Sequence, residues 1–209
     1  MLIIAKLEYM ARRSEHTQAE IKEMILKAAE NIVAEEGVSA LKVRRIALDI
    51  GYTVGSIYMV FDNMADLIWQ LKARVLDDLA LELEKVLKKN IPAEECIRQL
   101  GMAYLTFAEN NFFRWSLIFE ISTQDGENVP DWYQQKVEQM FMLIEPLFLQ
   151  LAPGQSAARA GQAARALWGG VHGVCSLTLT GRLDLEKENE NTLMLLIDNF
   201  VYGWVQKSL

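Results

Sequence analysis

Residues 43–61 read VRRIALDIGYTVGSIYMVF. Val43, Ile46, Ala47 and Ile50 fall at i, i+3, i+4 and i+7, one apolar face of a helix. Gly51 follows at once, where a helix end needs positive φ without a Cβ. Thr53 can cap a second helix, whose apolar positions Ile57 and Phe61 are four apart. Helix, short glycine turn, helix is the arrangement that places a second helix in the major groove of DNA.

The flanks extend this unit. Upstream, Thr17 and Glu20 form a T-x-x-E capping box. Behind it Ile21, Met24, Ile25, Ala28 and Ile32 make a helical stripe, which Gly37 ends. Downstream, Asn63 can cap a long helix carrying Leu67, Leu71, Val75, Leu79, Leu83 and Val86, to about Lys89. Its length suits a strut between two units.

The order of these features resembles the N-terminal domain of the TetR family of transcriptional regulators, over residues 17 to about 70. The resemblance rests on the capped first helix ending in Glu36-Gly37, then Val43-Arg44-Arg45-Ile46-Ala47, Gly51-Tyr52-Thr53, and Gly55-Ser56-Ile57-Tyr58 closing on Phe61. It implies a homodimer that binds a palindromic double-stranded DNA operator, with a helical ligand-binding domain behind the reading head. The sequence departs from the family pattern at four places. Lys42 stands at the cap of the second helix where Ser or Thr is usual, Val54 where a Lys is usual, Val60 in place of His, and Met64 in place of Lys. Each replacement removes a cap or a phosphate contact.

Charge sharpens the expectation. Residues 1–70 hold eight Lys/Arg and ten Asp/Glu, a net of −2, and Val54–Phe61 carries no charge. The whole chain is at −7, which excludes a generally basic nucleic-acid coat. Phosphate attraction then falls to Lys42, Arg44, Arg45 and the arm Arg12–Arg13, and the salt dependence of binding should be shallow. Thr53, Ser56 and Tyr58 can add neutral hydrogen bonds, and Thr53, Val54, Ser56 and Met59 can touch base edges and thymine methyls. Away from DNA, Arg44 and Arg45 would be ordinary solvated charges.

The remaining two-thirds repeats helical patterning. A fifth helix carries Ile97, Leu100, Gly101, Tyr104 and Leu105, and Phe112–Phe119 reads as a short, buried, aromatic sixth. Gln124–Pro130 is a polar loop. A seventh helix carries Trp132, Val137, Met140, Phe141, Ile144 and Leu147, with Pro146 set to kink it. Ser156 caps an Ala/Gly-rich eighth helix, the Glu186–Glu190 stretch reads as a solvated turn, and the last helix spans about Glu190–Lys207. Trp168–Gly173, WGGVHG, resembles the WHG-type ligand domain of one family branch. Trp115, Phe119, Met140, Phe141, Trp168 and His172 are the candidates for an apolar effector pocket, with plain core as the other reading. Trp168, Val171, Phe200 and Trp204 are the candidates for a dimer interface, against a purely intramolecular core.

The expected architecture is therefore all-α, about nine helices, with a helix-turn-helix DNA-binding domain at residues 10–62 and a ligand-binding and dimerisation domain at 63–209. Met10 followed by ARRSEHT suggests translation from Met10. No apolar run nears the ~18 residues of a membrane span, so a cytoplasmic location is expected. The two cysteines, Cys96 and Cys175, form no CxxC, and Cys175 reads as a small buried hydrophobe. With two histidines, no metal-ligand spacing and no phosphate loop, no metal, cofactor or enzymatic activity is expected. The function read here is a ligand-responsive repressor released by a small apolar effector. The alternative is a helical small-molecule-binding or protein-interaction protein with a degenerate reading head.

Overall fold

The computed structural model describes residues 16–120, 129–182 and 189–206. Nine α-helices and no strand occur among them: α1 Gln18–Glu36, α2 Val43–Asp49, α3 Val54–Tyr58, α4 Met64–Leu87, α5 Ala93–Asn110, α6 Phe112–Leu117, α7 Asp131–Leu151, α8 Ala157–Leu179 and α9 Asn189–Gln206. Met10, Arg12–Arg13, Gln124–Asn128, Glu186–Glu188 and Lys207 lie outside the described residues.

Capping decides the helix starts. Thr17 and Glu20 form the full capping box at α1, with the Glu20 carboxylate accepting from the Thr17 backbone N–H at 2.6 Å. Asn63 caps α4 by accepting from Asp66 N–H at 2.8 Å, and Ser156 caps α8. Lys42 stands at the start of α2 with no side-chain cap, as its type requires. Asn189 already belongs to α9, so the turn expected at Glu186–Glu190 ends earlier than its sequence suggests. Pro146 sits inside α7, which continues to Leu151. It withholds one N–H from the carbonyl four residues back, on Met142, a residue 60% exposed and open to water.

Two large cores form, with a small third cluster of Ala73, Leu76 and Tyr133 beside the second, and α4 contributes to all three. The first packs Ile25, Ile32 and Val33 of α1 against Ile46, Ile57 and Phe61. Leu67 and Leu71, from the first turns of α4, close it. The second gathers Val75, Leu79, Leu83 and Val86 from the rest of α4 with α5, α7, α8 and α9. The stripe read as a strut therefore changes partners between Leu71 and Val75.

Helix α6 is shared in a tighter way. Leu117 is 1% exposed and belongs to the first core, while Trp115, 2% exposed, belongs to the second. Phe113 lies against the end of α1, where a Cβ at Gly37 would stand 3.3 Å from its ring. Arg114 pairs with Asp78 of α4, and Arg74 of α4 pairs with Glu23 and Glu30 of α1.

The turn between α2 and α3 is a complete Schellman motif. Gly51 N–H donates to the Leu48 carbonyl at 3.1 Å and Tyr52 N–H to that of Ala47 at 2.9 Å. Gly51 has φ +72 and open space where a Cβ would go, so only conformation opposes a side chain there. Gly51→Ala should destabilise the chain by about 1 kcal/mol, a fall of ~2–4 °C in Tm. Thermal unfolding with Gly51→Asn as the milder control checks this.

Candidate functional site

The α2–α3 hairpin presents a mixed surface. Lys42 and Arg44 are exposed and have no partner among the described residues. Arg45 is not free in the same way. It pairs with Glu36 at 2.6 Å and reaches Asp49 at 4.0 Å, and the hydrogen bond it donates to Glu36 raises its pKa. Arg45 thus ties α2 to the end of α1.

Helix α3 starts with Thr53, whose hydroxyl accepts from Ser56 N–H at 3.2 Å and lies 2.9 Å from the Ser56 hydroxyl. Ser56 is 9% exposed, so its hydroxyl serves the cap and faces inward. Val54 is half-buried against the first core. Tyr58 and Met59, 48% and 70% exposed, are the groups of α3 that stand clear of the surface. Leu48 on α2 is 79% exposed, one turn from Arg44, and escaped the sequence reading because it falls off the apolar stripe. Tyr52 is anchored from the other side, its hydroxyl 2.9 Å from His16 Nδ1.

A cavity of about 230 Å³ lies in the second core, between α4, α5, the end of α6, α7 and α8. Phe119, Met140, Phe141 and Trp168 line it, as the sequence suggested. Trp115 and His172 stand behind the wall instead. They form a hydrogen-bonded chain with Tyr104, which does line the cavity. The Trp115 indole N–H donates to the Tyr104 hydroxyl at 3.0 Å, and that hydroxyl lies 3.0 Å from His172 Nδ1. An indole only donates, so the Tyr104 oxygen accepts from Trp115, while either the Tyr104 O–H or the His172 Nδ1–H can be the donor between those two, set by the His172 tautomer. Trp168 stacks on the imidazole at 5.5 Å between centroids, and Phe119 packs at 4.0 Å.

Sequence reasoning missed Leu76, Tyr133, Val137 and Ile144 on this wall. A signal was present. Tyr133, Val137, Met140, Ile144 and Leu147 follow i, i+4, i+7, i+11 and i+14, and the larger Trp132 beside them drew attention one residue out of phase. Trp132 is 43% exposed and Tyr133 6%.

The residues expected at a dimer interface divide. Phe200 and Trp204 pack on Phe148 of the same chain, and the Trp204 indole donates to the Phe148 carbonyl at 3.0 Å. Val171 is 5% exposed and Trp168 faces the cavity. The exposed apolar groups of α8 and α9 are Leu177, Leu195 and Tyr202, at 40%, 64% and 67%. Gly169 and Gly173 lie on the same side of α8 as Leu177, with open space above them. Cys175 is fully buried, and burial pushes its thiol up to about 12, which suits the packing role read from sequence.

Comparison with known proteins matches residues 25–71 to the family model described as bacterial regulatory proteins, tetR family. Residues 97–200 match a model described as tetracyclin repressor-like, C-terminal domain. The chain belongs to the TetR family. That description names no branch of the family, so the WHG-type resemblance of Trp168–Gly173 is not confirmed by it. An HTH-type transcriptional regulator of Haemophilus influenzae is 28% identical over 94 residues, 45% of this chain and 50% of that protein. The match thus spans half the length of that relative. Among solved structures, a Rhodococcus protein of unknown function superposes with a TM-score of 0.73 at 19% identity, over 91% of this chain and 96% of its own. The regulator FadR from Bacillus subtilis, solved with stearoyl-CoA, gives 0.64 at 15% identity, over 87% and 98%. These likenesses carry the TetR fold. No helix among the described residues is long and apolar enough to cross a membrane.

His172 offers a pH test of this TetR-family core. Desolvation lowers its pKa from the ordinary 6.5, so the fold favours the neutral ring. As pH falls through 6.5 the unfolded chain takes up a proton that the native chain resists, and stability is lost downward from there. His172→Gln should lose less stability than the parent between about pH 6.5 and pH 5, measured by urea unfolding at each pH.

Proposed function

We propose that the chain is a ligand-responsive transcriptional repressor that binds a palindromic operator as a homodimer in the cytoplasm. The observation that carries this reading is the α2–α3 hairpin. It is a Schellman-turned, Thr-capped unit whose outer surface presents Arg44, Leu48, Tyr58 and Met59. In this reading residues 10–62 form the DNA-reading domain and 63–209 the ligand-binding and dimerisation domain.

Lys42 and Arg44 bind phosphates, joined by the Thr53 and Tyr58 hydroxyls. Val54 and Met59 meet base edges through apolar contacts with thymine methyls. Arg45 and Ser56 act behind these groups, one bracing α2 on α1 and the other closing the α3 cap. The two reading heads of the dimer sit about 34 Å apart, or a longer whole-turn distance. Leu195 and Tyr202 of α9, with Leu177 and the glycine side of α8, supply the dimer surface. This shifts that role away from Phe200 and Trp204, which are engaged within the chain.

The cavity of the second core receives the effector, a use supported by the stearoyl-CoA bound in the FadR structure of the same fold. Helix α6 conveys its arrival. Ile118 and Phe119, at its end, touch the cavity, while Leu117 sits in the reading-head core. A ligand that binds one setting of α6 better than another shifts the population of head spacings by that difference in affinity.

Arg44→Ala combined with Tyr58→Ala should weaken operator binding at least about tenfold, two lost contacts at roughly 1 kcal/mol each. The double variant should keep its assembly state. Mobility-shift titration on the promoter of its own gene measures the first, and unchanged affinity would sink the assignment.

Leu195→Glu with Tyr202→Glu should convert a dimer to monomer in analytical ultracentrifugation. A dimer that persists would place the interface elsewhere.

A second reading keeps the cavity and drops the DNA. It is favoured by the uncharged α3 and by the engagement of Arg45 with Glu36. The same promoter titration at low salt separates the two, since only the regulator binds one sequence above the rest.

A further inference from the structure

Two polar groups near the Tyr133 end of the cavity, one on its wall and one behind it, are not explained by the apolar lining. Tyr133 lines the cavity, is 6% exposed, and its hydroxyl has no hydrogen-bond partner among the described residues. A buried hydroxyl without a partner is costly and is rarely left so in a native protein. Burial pushes its pKa up to about 12, so it remains a donor at any physiological pH.

Lys72 is the second group. It is 3% exposed, on α4 one turn before the cavity-lining Leu76. Its Nζ donates to the Glu120 carbonyl at 2.5 Å and lies 4.6 Å from the centre of the Trp69 ring. Trp69 packs directly on Tyr133, with ring centroids 4.8 Å apart. Lys72 and Tyr133 thus both lie against Trp69, with Tyr133 on the cavity wall and Lys72 one layer behind it. An ammonium has three donors, and one carbonyl and one ring face leave this one short. Lys72 has no carboxylate within ion-pair distance among the described residues, although the Glu120 charge is felt from further off. A buried cation without a counter-ion is the situation that an anion relieves.

We propose that Lys72 and Tyr133 form the headgroup end of the cavity, and that its ligand is an aliphatic carboxylate. The carboxylate would accept from the Tyr133 O–H and the Lys72 ammonium. The chain would run between Leu79, Leu83, Met140 and Ile144. At ~30 Å³ per heavy atom, taken from the share of a water in the liquid, 230 Å³ holds about eight atoms or somewhat more. Hexanoate, with eight heavy atoms, and octanoate, with ten, are of this size. The assignment has a mechanical corollary, because Lys72 now holds the carbonyl of Glu120, which follows α6. An arriving carboxylate competes for that ammonium at the point where α6 meets the cavity. This inference rests on the reading of the cavity as the effector site.

Titration calorimetry of the full chain with octanoate and with 1-octanol tests the headgroup. Octanoate should bind at least tenfold more tightly than the alcohol. Lys72→Met should abolish the preference. Tyr133→Phe should weaken octanoate about tenfold and reports on the same site should Lys72→Met fail to fold. Ile144→Trp, which fills the cavity, should remove binding of both. Equal affinity for acid and alcohol in the parent chain would overturn the inference. So would a preference retained in both Lys72→Met and Tyr133→Phe, or binding that survives Ile144→Trp. Failure of both ligands to bind overturns it as well, together with the cavity reading. Tight, Lys72-dependent octanoate binding with unchanged operator affinity upholds the ligand class and overturns only the regulatory reading.

Discussion

Two residues of separation on one short helix organise this molecule. Trp115 and Leu117 lie on α6 and are buried in different cores. A helix six residues long cannot bend between them, so the cores share a rigid part. Interiors are packed too densely for either to absorb a shift of that part alone. The ion pairs from Arg74 to α1 and from Arg114 to α4 surround the same joint. Their exposed partners make them weak springs, and the apolar seat of Leu117 does most of the holding.

The fold was legible because its signals are local. The Thr17–Glu20 box, Asn63, Ser156 and Gly51 each act within four residues of themselves, and each appears where the sequence placed it. The site was legible in part. Phe119, Met140, Phe141 and Trp168 were readable as a wall because an apolar wall and an apolar core ask for the same residue types. That equivalence is also why Trp115, one layer behind, could not be told from them. Tyr133 and Lys72 depended on neighbours from other helices, and periodicity carries no information about which hydroxyl or ammonium lacks a partner. Phe200 and Trp204 show the same limit from the other side. Their stripe is real, and only tertiary structure reveals that it faces Phe148.

The reading head departs from the family pattern its sequence resembles in where its cations sit. With Val54, Val60 and Met64 at the usual basic or His positions, and Arg45 held by Glu36, the charge that remains is on α2 at Lys42 and Arg44. Helix α3 and the residue after it offer the Tyr58 phenol and the Met59 thioether, with the Ser56 hydroxyl turned inward. In the proposed regulator such a surface would discriminate through fit and thymine methyl contact more than through general attraction to the duplex.

The stack of Trp168 on His172 has a practical side. Trp168 is at once a cavity wall and the ring partner of an imidazole 5.5 Å away, with Phe141 edge-on at 5.7 Å. An indole in that position is a built-in optical probe. Its emission responds to the polarity of whatever enters the cavity and to the charge on the ring beneath it. The molecule therefore supplies its own reporter of occupancy, without a label and without DNA.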